Sequence, residues 1–303
     1  MTSTLAKTRA QNVKRAYKVF IFALKAGGTA KTSSTTALAV QLGLRGYRVL
    51  VIDLDPQCNA TRVLGRRVFK PGQKSLTDVM ADKAQLKDII VQARYRTDPD
   101  GDGDDSFTEI PNVWIAPGDL DHPEIDDAER ILNAEDGNVF WLKDGLDDLA
   151  EEFDVDVVLI DPPATYGRLT VTALVLLDEE TEGAVIPPVL CTYKEADALV
   201  RLEKKLKEIS ERRMYQRRGI RPQMKYVMAC AAPTASFGTE EHWETFNELK
   251  EEYGDILLPP VHWSGVATKI YRNECAVPIL SPNSRPAQDY AKVATALGFP
   301  QRR

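Results

Sequence analysis

Short apolar, largely β-branched runs alternate along this chain with segments of helix length, and that alternation constrains the fold more than any other feature. The runs are KVFIFAL (18–24), RVLVIDL (48–54), NVWIAP (112–117), DVVLID (156–161), GAVIPP (183–188) and KYVMACA (225–231). Strands so continuous in apolar residues are buried on both faces, as in a parallel sheet. The segments between and after them predict helices over 31–45, 124–134, 138–152, 168–178, 195–217, 240–253 and 286–297. The expected fold class is α/β, a doubly wound, mostly parallel sheet with helices on both faces, and ligands should sit beyond the carboxyl ends of its strands. Residues 18–303 read as one domain, preceded by a basic tail (1–17) and interrupted by an acidic loop at 96–112.

The first strand runs into LKAGGTAKTSS (24–34). Gly27 and Gly28 let backbone N–H groups point at phosphates, and the helix that follows presents the positive end of its dipole. Lys31 then reaches the β and γ phosphates and Thr32 is placed to ligate Mg²⁺, with Thr29, Ala30 and Ser33 completing the nucleotide-contacting loop. The strict GxxxxGK[ST] pattern fails at Lys25 and Ala30, and Ala30 is acceptable if its backbone keeps a negative φ. A tight turn carrying a solvated lysine is the plainer reading, but it leaves three carboxylates unexplained. Asp53 and Asp55 end the second strand beside the loop, where they suit Mg²⁺ and a polarised water. Asp161 follows four apolar residues, as a Walker B carboxylate must. Together these elements indicate a site for a nucleoside triphosphate with Mg²⁺.

On these residues the chain resembles the ParA/MinD group of deviant Walker A ATPases, and most closely the ParA partition proteins. The resemblance runs from about Lys18 to Leu297 through the loop, VLVIDLDPQCNATRVLG (49–65), IDPPATYGRLTVTALV from Ile160, and VPILSPNSRPAQDYAKVATAL from Val277. It implies binding of Mg·ATP, closure into a homodimer with both nucleotides at the interface, nonspecific DNA binding in that state, and slow hydrolysis stimulated by a centromere-binding or cargo adaptor protein. Carried over by position, Lys31 and Thr32 hold the phosphates and Mg²⁺, Asp55 orients the attacking water, and Asp53 and Asp161 support the metal. Three departures accompany it. Ala26 stands where the group has a signature lysine that reaches across the dimer, so Lys25 or another cation would have to substitute. Cys58 replaces the glycine of the DPQGN run, and the segment after Asp161 is one residue shorter.

The net charge of −6 argues against a nucleic-acid partner only until its distribution is read. Between Arg201 and Lys225 the chain carries ten Lys/Arg against three Glu. Pairs such as Glu203 with Lys207 and Glu208 with Arg212 fit a solvated helix face, leaving Arg213, Arg217, Arg218 and Arg221 as candidate contacts to DNA backbone, with Lys269, Arg272 and Arg285 as further candidates. Binding of that kind is insensitive to sequence and steep in salt. The loop DPDGDGDDSFTE (98–109) matches EF-hand spacing, but Asp105 replaces the packing apolar residue and Pro99 and Pro111 obstruct the frame, so a solvated loop is expected rather than a calcium site. Four scattered cysteines without a CxxC pair oppose a zinc site, a disulfide framework and the cluster of a related reductase. With no apolar run long enough for a membrane span and no signal segment, a cytoplasmic, nucleoid-associated protein is expected.

Overall fold

The computed structural model describes residues 17–66, 69–70, 72–98, 106–122, 138–149, 153–191 and 193–302. The expected tail, the helix at 124–134 and the centre of the acidic loop lie outside them. Six strands form the main sheet: β1 (Lys18–Ile21), β2 (Val49–Asp53), β3 (Val91–Arg96), β4 (Phe107–Ala116), β5 (Val157–Asp161) and β6 (Glu182–Val185). Their order is β3-β4-β2-β5-β1-β6, parallel throughout except for β3 against β4. Every residue of β2 and β5 is buried. Alternate residues feed opposite cores: Leu50, Ile52, Val158 and Ile160 pack on one face, Val49, Val51, Val157 and Leu159 on the other. That two-sided demand is why these strands read as unbroken apolar runs.

The second core is closed by α1 (Lys31–Leu44) and by the C-terminal helix Arg285–Ala296, whose Tyr290, Val293 and Ala294 are buried. Gly43 lets α1 approach β4, since a Cβ there would stand 2.4 Å from Val113 Cγ2 and 2.6 Å from the Pro111 carbonyl oxygen. The first core is closed by the helices Trp141–Leu149, Arg168–Leu174, Tyr193–Glu211 and Glu240–Tyr253.

Three sequence expectations need correction. The strand expected at 183–188 is two: β6 ends at Val185, and β7 (Pro188–Leu190) joins β8 (Met228–Ala232) and β9 (Val261–His262) in a second parallel sheet. Pro187 and Pro188 have no N–H to donate, so the ladder cannot run through them. The helix expected over 195–217 stops at Glu211, where Arg212 turns extended (φ −71°, ψ 120°), and a short helix Arg213–Gln216 follows. The antiparallel β3 was not expected at all.

Candidate functional site

Strands β1, β2 and β5 deliver the loop and the carboxylates to one edge of the sheet. The loop leaves β1 at its carboxyl end, and the bare Cα positions of Gly27 and Gly28 face open space, with nothing within 4 Å of an added Cβ at either. Gly28 has φ 75°. Ala30, at the N-cap of α1, has φ 67° and ψ 21°. The expectation of a negative φ there is therefore wrong: the loop keeps the left-handed turn a glycine would favour, and Ala30 carries its methyl into it. The Lys31 ammonium is buried on the loop's own floor, donating to the carbonyls of Ala26 (2.9 Å) and Leu24 (3.3 Å).

Asp53 and Asp161 are register partners at the ends of β2 and β5, and both are buried. Thr32 Oγ1 donates to Asp161 Oδ2 at 2.7 Å, and Thr35 Oγ1 to Oδ1 at 3.4 Å. Asp53 Oδ2 accepts from both the N–H and the hydroxyl of Thr61 at 2.7 Å, which pins the helix Asn59–Val63 against the strand end. Its Oδ1 is buried and has no hydrogen-bond partner. Burial, followed by the charge of Asp161, pushes the Asp53 carboxyl well above its ordinary range, and burial does the same to Asp161 against the Thr32 hydrogen bond. A buried carboxylate oxygen without a donor, next to a second buried carboxylate, is an unbalanced negative site that a cation would balance. The Thr32 hydroxyl and Asp161 fit Mg²⁺, which keeps several waters and takes only one or two carboxylates beside substrate phosphates.

Asp55 borders the same space, its Oδ1 accepting from the Gln57 N–H at 3.0 Å. The turn after it closes through the Cys58 N–H to the Asp55 carbonyl (2.8 Å), with Cys58 left-handed at φ 49°. The thiol fills the space beside Gly118, where a Cβ would lie 2.6 Å from Sγ. As at Ala30, a side chain occupies backbone that glycine would adopt without strain.

A cavity of about 620 Å³ opens over these groups. One end is the loop from Gly27 to Ser33 with Asp55 and Asn59, on which the hydroxyls of Tyr271 (beside Thr32 and Ser33) and Tyr290 (3.1 Å from Ser34 Oγ) also converge; the other is built from Leu190, Ala231, His262 and Trp263. Sequence reading missed this second end. Its residues come from the ends of β7, β8 and β9 and the turn that follows, and they form no contiguous motif. His262 is fixed by Asp289, through Nδ1 at 2.8 Å and its backbone N–H at 3.1 Å, and accepts from Arg285 at Nε2 (2.9 Å). Since arginine only donates, Nε2 is the acceptor in that contact and Nδ1 the donor to Asp289.

The candidate DNA residues do not form one surface. Arg213, Arg217, Arg218 and Arg221 lie near the amino-terminal edge of the sheet, where Ile220 bridges Asp178 just ahead of β6. Lys269 and Arg272 sit beside the cavity at the opposite edge, flanking Tyr271. Two of the arginines are also engaged: Arg221, expected to lack an acidic neighbour, pairs with Glu179 at 3.0 Å, and the Arg218 guanidinium lies 3.9 Å over the Phe140 ring. The helix-face ion pairs are Lys205 with Glu208 and Lys207 with Glu211 rather than the expected ones.

A glycine-bearing loop at a strand end, a helix that starts on Lys31 and Thr32, and an acidic pair below them define a P-loop nucleotide site. The comparisons agree. A family model described as an AAA domain matches residues 17–218, and the chain belongs to that family, within the ParA/MinD group of P-loop ATPases. The cell division protein PomZ of Myxococcus xanthus is 32% identical over 153 residues, which span 50% of this chain but only 41% of PomZ. The chromosome partitioning protein ParA of the same bacterium is 27% identical over 236 residues, 77% of this chain and 72% of that protein. An ATP complex of McdA from Cyanothece superposes with a TM-score of 0.74 at 20% identity, over 95% of this chain and 99% of that one, a likeness of fold.

Proposed function

We propose that this chain is an Mg·ATP-dependent partition ATPase, which dimerises on ATP, binds DNA without sequence preference, and hydrolyses ATP slowly under the control of a centromere-binding protein to segregate plasmid or chromosomal DNA. The observation that carries this reading is the buried Asp53–Asp161 pair under Lys31 and Thr32, a cation-demanding floor set beneath a phosphate-sized cradle. The ParA relative, similar over most of both chains, supports the partition role.

In this reading the backbone of Gly27 to Ser33 wraps the phosphates, and Lys31 exchanges loop carbonyls for phosphate oxygens. Bound Mg²⁺ would supply the charge neutralisation that phosphoryl transfer needs, held by Thr32 with Asp161 and Asp53 behind it. Asp55, at the cavity wall and outside the buried pair, positions the attacking water. With those carboxylates present, a catalytically silent scaffold is the weaker alternative. A second reading has support from PomZ, whose name ties it to cell division: the same switch would position a cargo other than DNA through an adaptor protein.

The test is to measure ATP turnover and DNA binding together, with and without nucleotide, in the parent and in Asp55→Ala. The parent should bind DNA only with ATP. Asp55→Ala should still bind ATP, turn it over very slowly and remain on DNA. DNA binding that ignores nucleotide would overturn the proposal, and parent-rate hydrolysis in the variant would remove Asp55 from its role.

A further inference from the structure

The end of the cavity away from the phosphate loop holds an arrangement that the proposed function does not account for. Trp263 follows β9 directly, borders the cavity, and is 46% exposed. Of the large hydrophobic side chains exposed among the described residues, Leu44, Leu120, Val200, Trp243 and Trp263, it is the one that lines this cavity. Its indole is not loose. Phe237 stacks on it with ring centroids 4.3 Å apart and planes within 10°, and the His242 ring meets Phe237 edge-on at 5.8 Å. The Trp263 backbone N–H donates to the Ala232 carbonyl at 3.3 Å, while the preceding His262 is clamped by Asp289 and Arg285.

An exposed indole has one large flat face to offer, and here a second ring backs it and the backbone fixes it. The wall around it carries the apolar Val261, Ala231 and Pro286, with Ser264 and Thr268 among them. The far end of the same cavity is polar, with the Gly27 to Ser33 backbone and the Lys31 ammonium. A ligand spanning both ends would be anionic at one extremity and planar aromatic at the other. Resting on the nucleotide reading, we infer that Trp263 is the stacking platform for the nucleobase, with Phe237 as the positioning residue that holds the indole in place. Because stacking uses a face that every base has, this platform supplies affinity rather than choice between bases. Its rigidity lowers the ordering cost of binding.

The experiment separates the base from the phosphates. Calorimetric titrations with ATP and with inorganic tripolyphosphate, both with Mg²⁺, compare the parent with Trp263→Ala and Trp263→Phe. Trp263→Ala should weaken ATP binding roughly tenfold, a loss of about 1.4 kcal/mol within the range for stacking of one base, while tripolyphosphate binds all three proteins equally. Trp263→Phe should recover most of the loss. Tryptophan emission of the parent should change with ATP and not with tripolyphosphate. Retained tripolyphosphate binding also demonstrates that the variants are folded. Unaltered ATP affinity in Trp263→Ala, or an equal loss for both ligands, would overturn the platform and leave the nucleotide site standing. A parent that binds tripolyphosphate as tightly as ATP would do the same, whereas a parent that binds neither would overturn the nucleotide reading itself.

Discussion

Asp53 and Asp161 end neighbouring parallel strands in exact register, so two buried carboxylates stand side by side at the floor of the phosphate loop. Without a cation, such a pair is relieved by retaining a proton. Asp161 is pushed up to about 7 from an ordinary 3.8, by burial first, and Asp53 is raised by burial and then by its neighbour. Between those values the folded protein binds more protons than the unfolded chain, so stability must fall as pH rises. In EDTA and without nucleotide, Tm should decline from about pH 5 to about pH 7.5, and saturating Mg·ATP should raise Tm most at the alkaline end. A Tm that rose steadily across this window would contradict the pairing.

Ala30 stores strain that glycine would release. At φ 67° its Cβ crowds the backbone, a cost of roughly 1–2 kcal/mol that the greater freedom of an unfolded glycine offsets in part. Ala30→Gly is expected to stabilise the protein by about 0.5–1 kcal/mol in urea unfolding without loss of nucleotide affinity. A destabilised variant would mean that the methyl's packing in the second core outweighs the strain.

These two positions also show where sequence legibility ends. Ala30 and Cys58 both keep left-handed backbone although neither is glycine, because tertiary structure holds the turn in place. The helix Glu240–Tyr253 keeps the bounds its sequence implied, and the structure adds a cap in which Thr239 and His242 bond at its start. Strand β3, VQARYR, was not legible. It is a half-exposed edge strand whose partner dictates its conformation, and its charged residues break the apolar signal. The phosphate end of the site is a local motif, hence legible. The Trp263 end is assembled from β7, β8, β9 and later turns, so only the fold brings it together.

Lys25 takes an exposed position at the loop, with Nζ 5.9 Å from the centre of the Tyr166 ring, while Ala26 packs against the core. Lys31 lines the cavity and is held by loop carbonyls, whereas Lys25 is not among the lining residues. We expect Lys25 to supply the cross-dimer cation, so that Lys25→Ala weakens dimerisation on a slowly hydrolysed ATP analogue and Ala26→Lys adds nothing. Sedimentation of the three proteins decides this. Stronger association of Ala26→Lys, with Lys25→Ala unaffected, would reject the assignment.

Of the four candidate arginines, all exposed, Arg213 and Arg217 neither stack on an aromatic ring nor pair with a carboxylate in the way Arg218 and Arg221 do. Replacing both with alanine should weaken ATP-dependent DNA binding and lower the slope of log affinity against log salt by roughly 0.9 per lost phosphate contact. ATP affinity should not change. A slope identical to the parent's would return the segment to a solvated face and shift attention to Lys269 and Arg272 at the other edge.

The central claim is that the loop before α1 is a nucleotide cradle whose charge comes from Lys31. Calorimetric titration of Mg·ATP into the parent and into Lys31→Ala tests it directly. Saturable binding by the parent and its loss in Lys31→Ala, with Tm otherwise preserved, is the expected result. Equal affinity in the two proteins would contradict the claim and place the phosphates elsewhere.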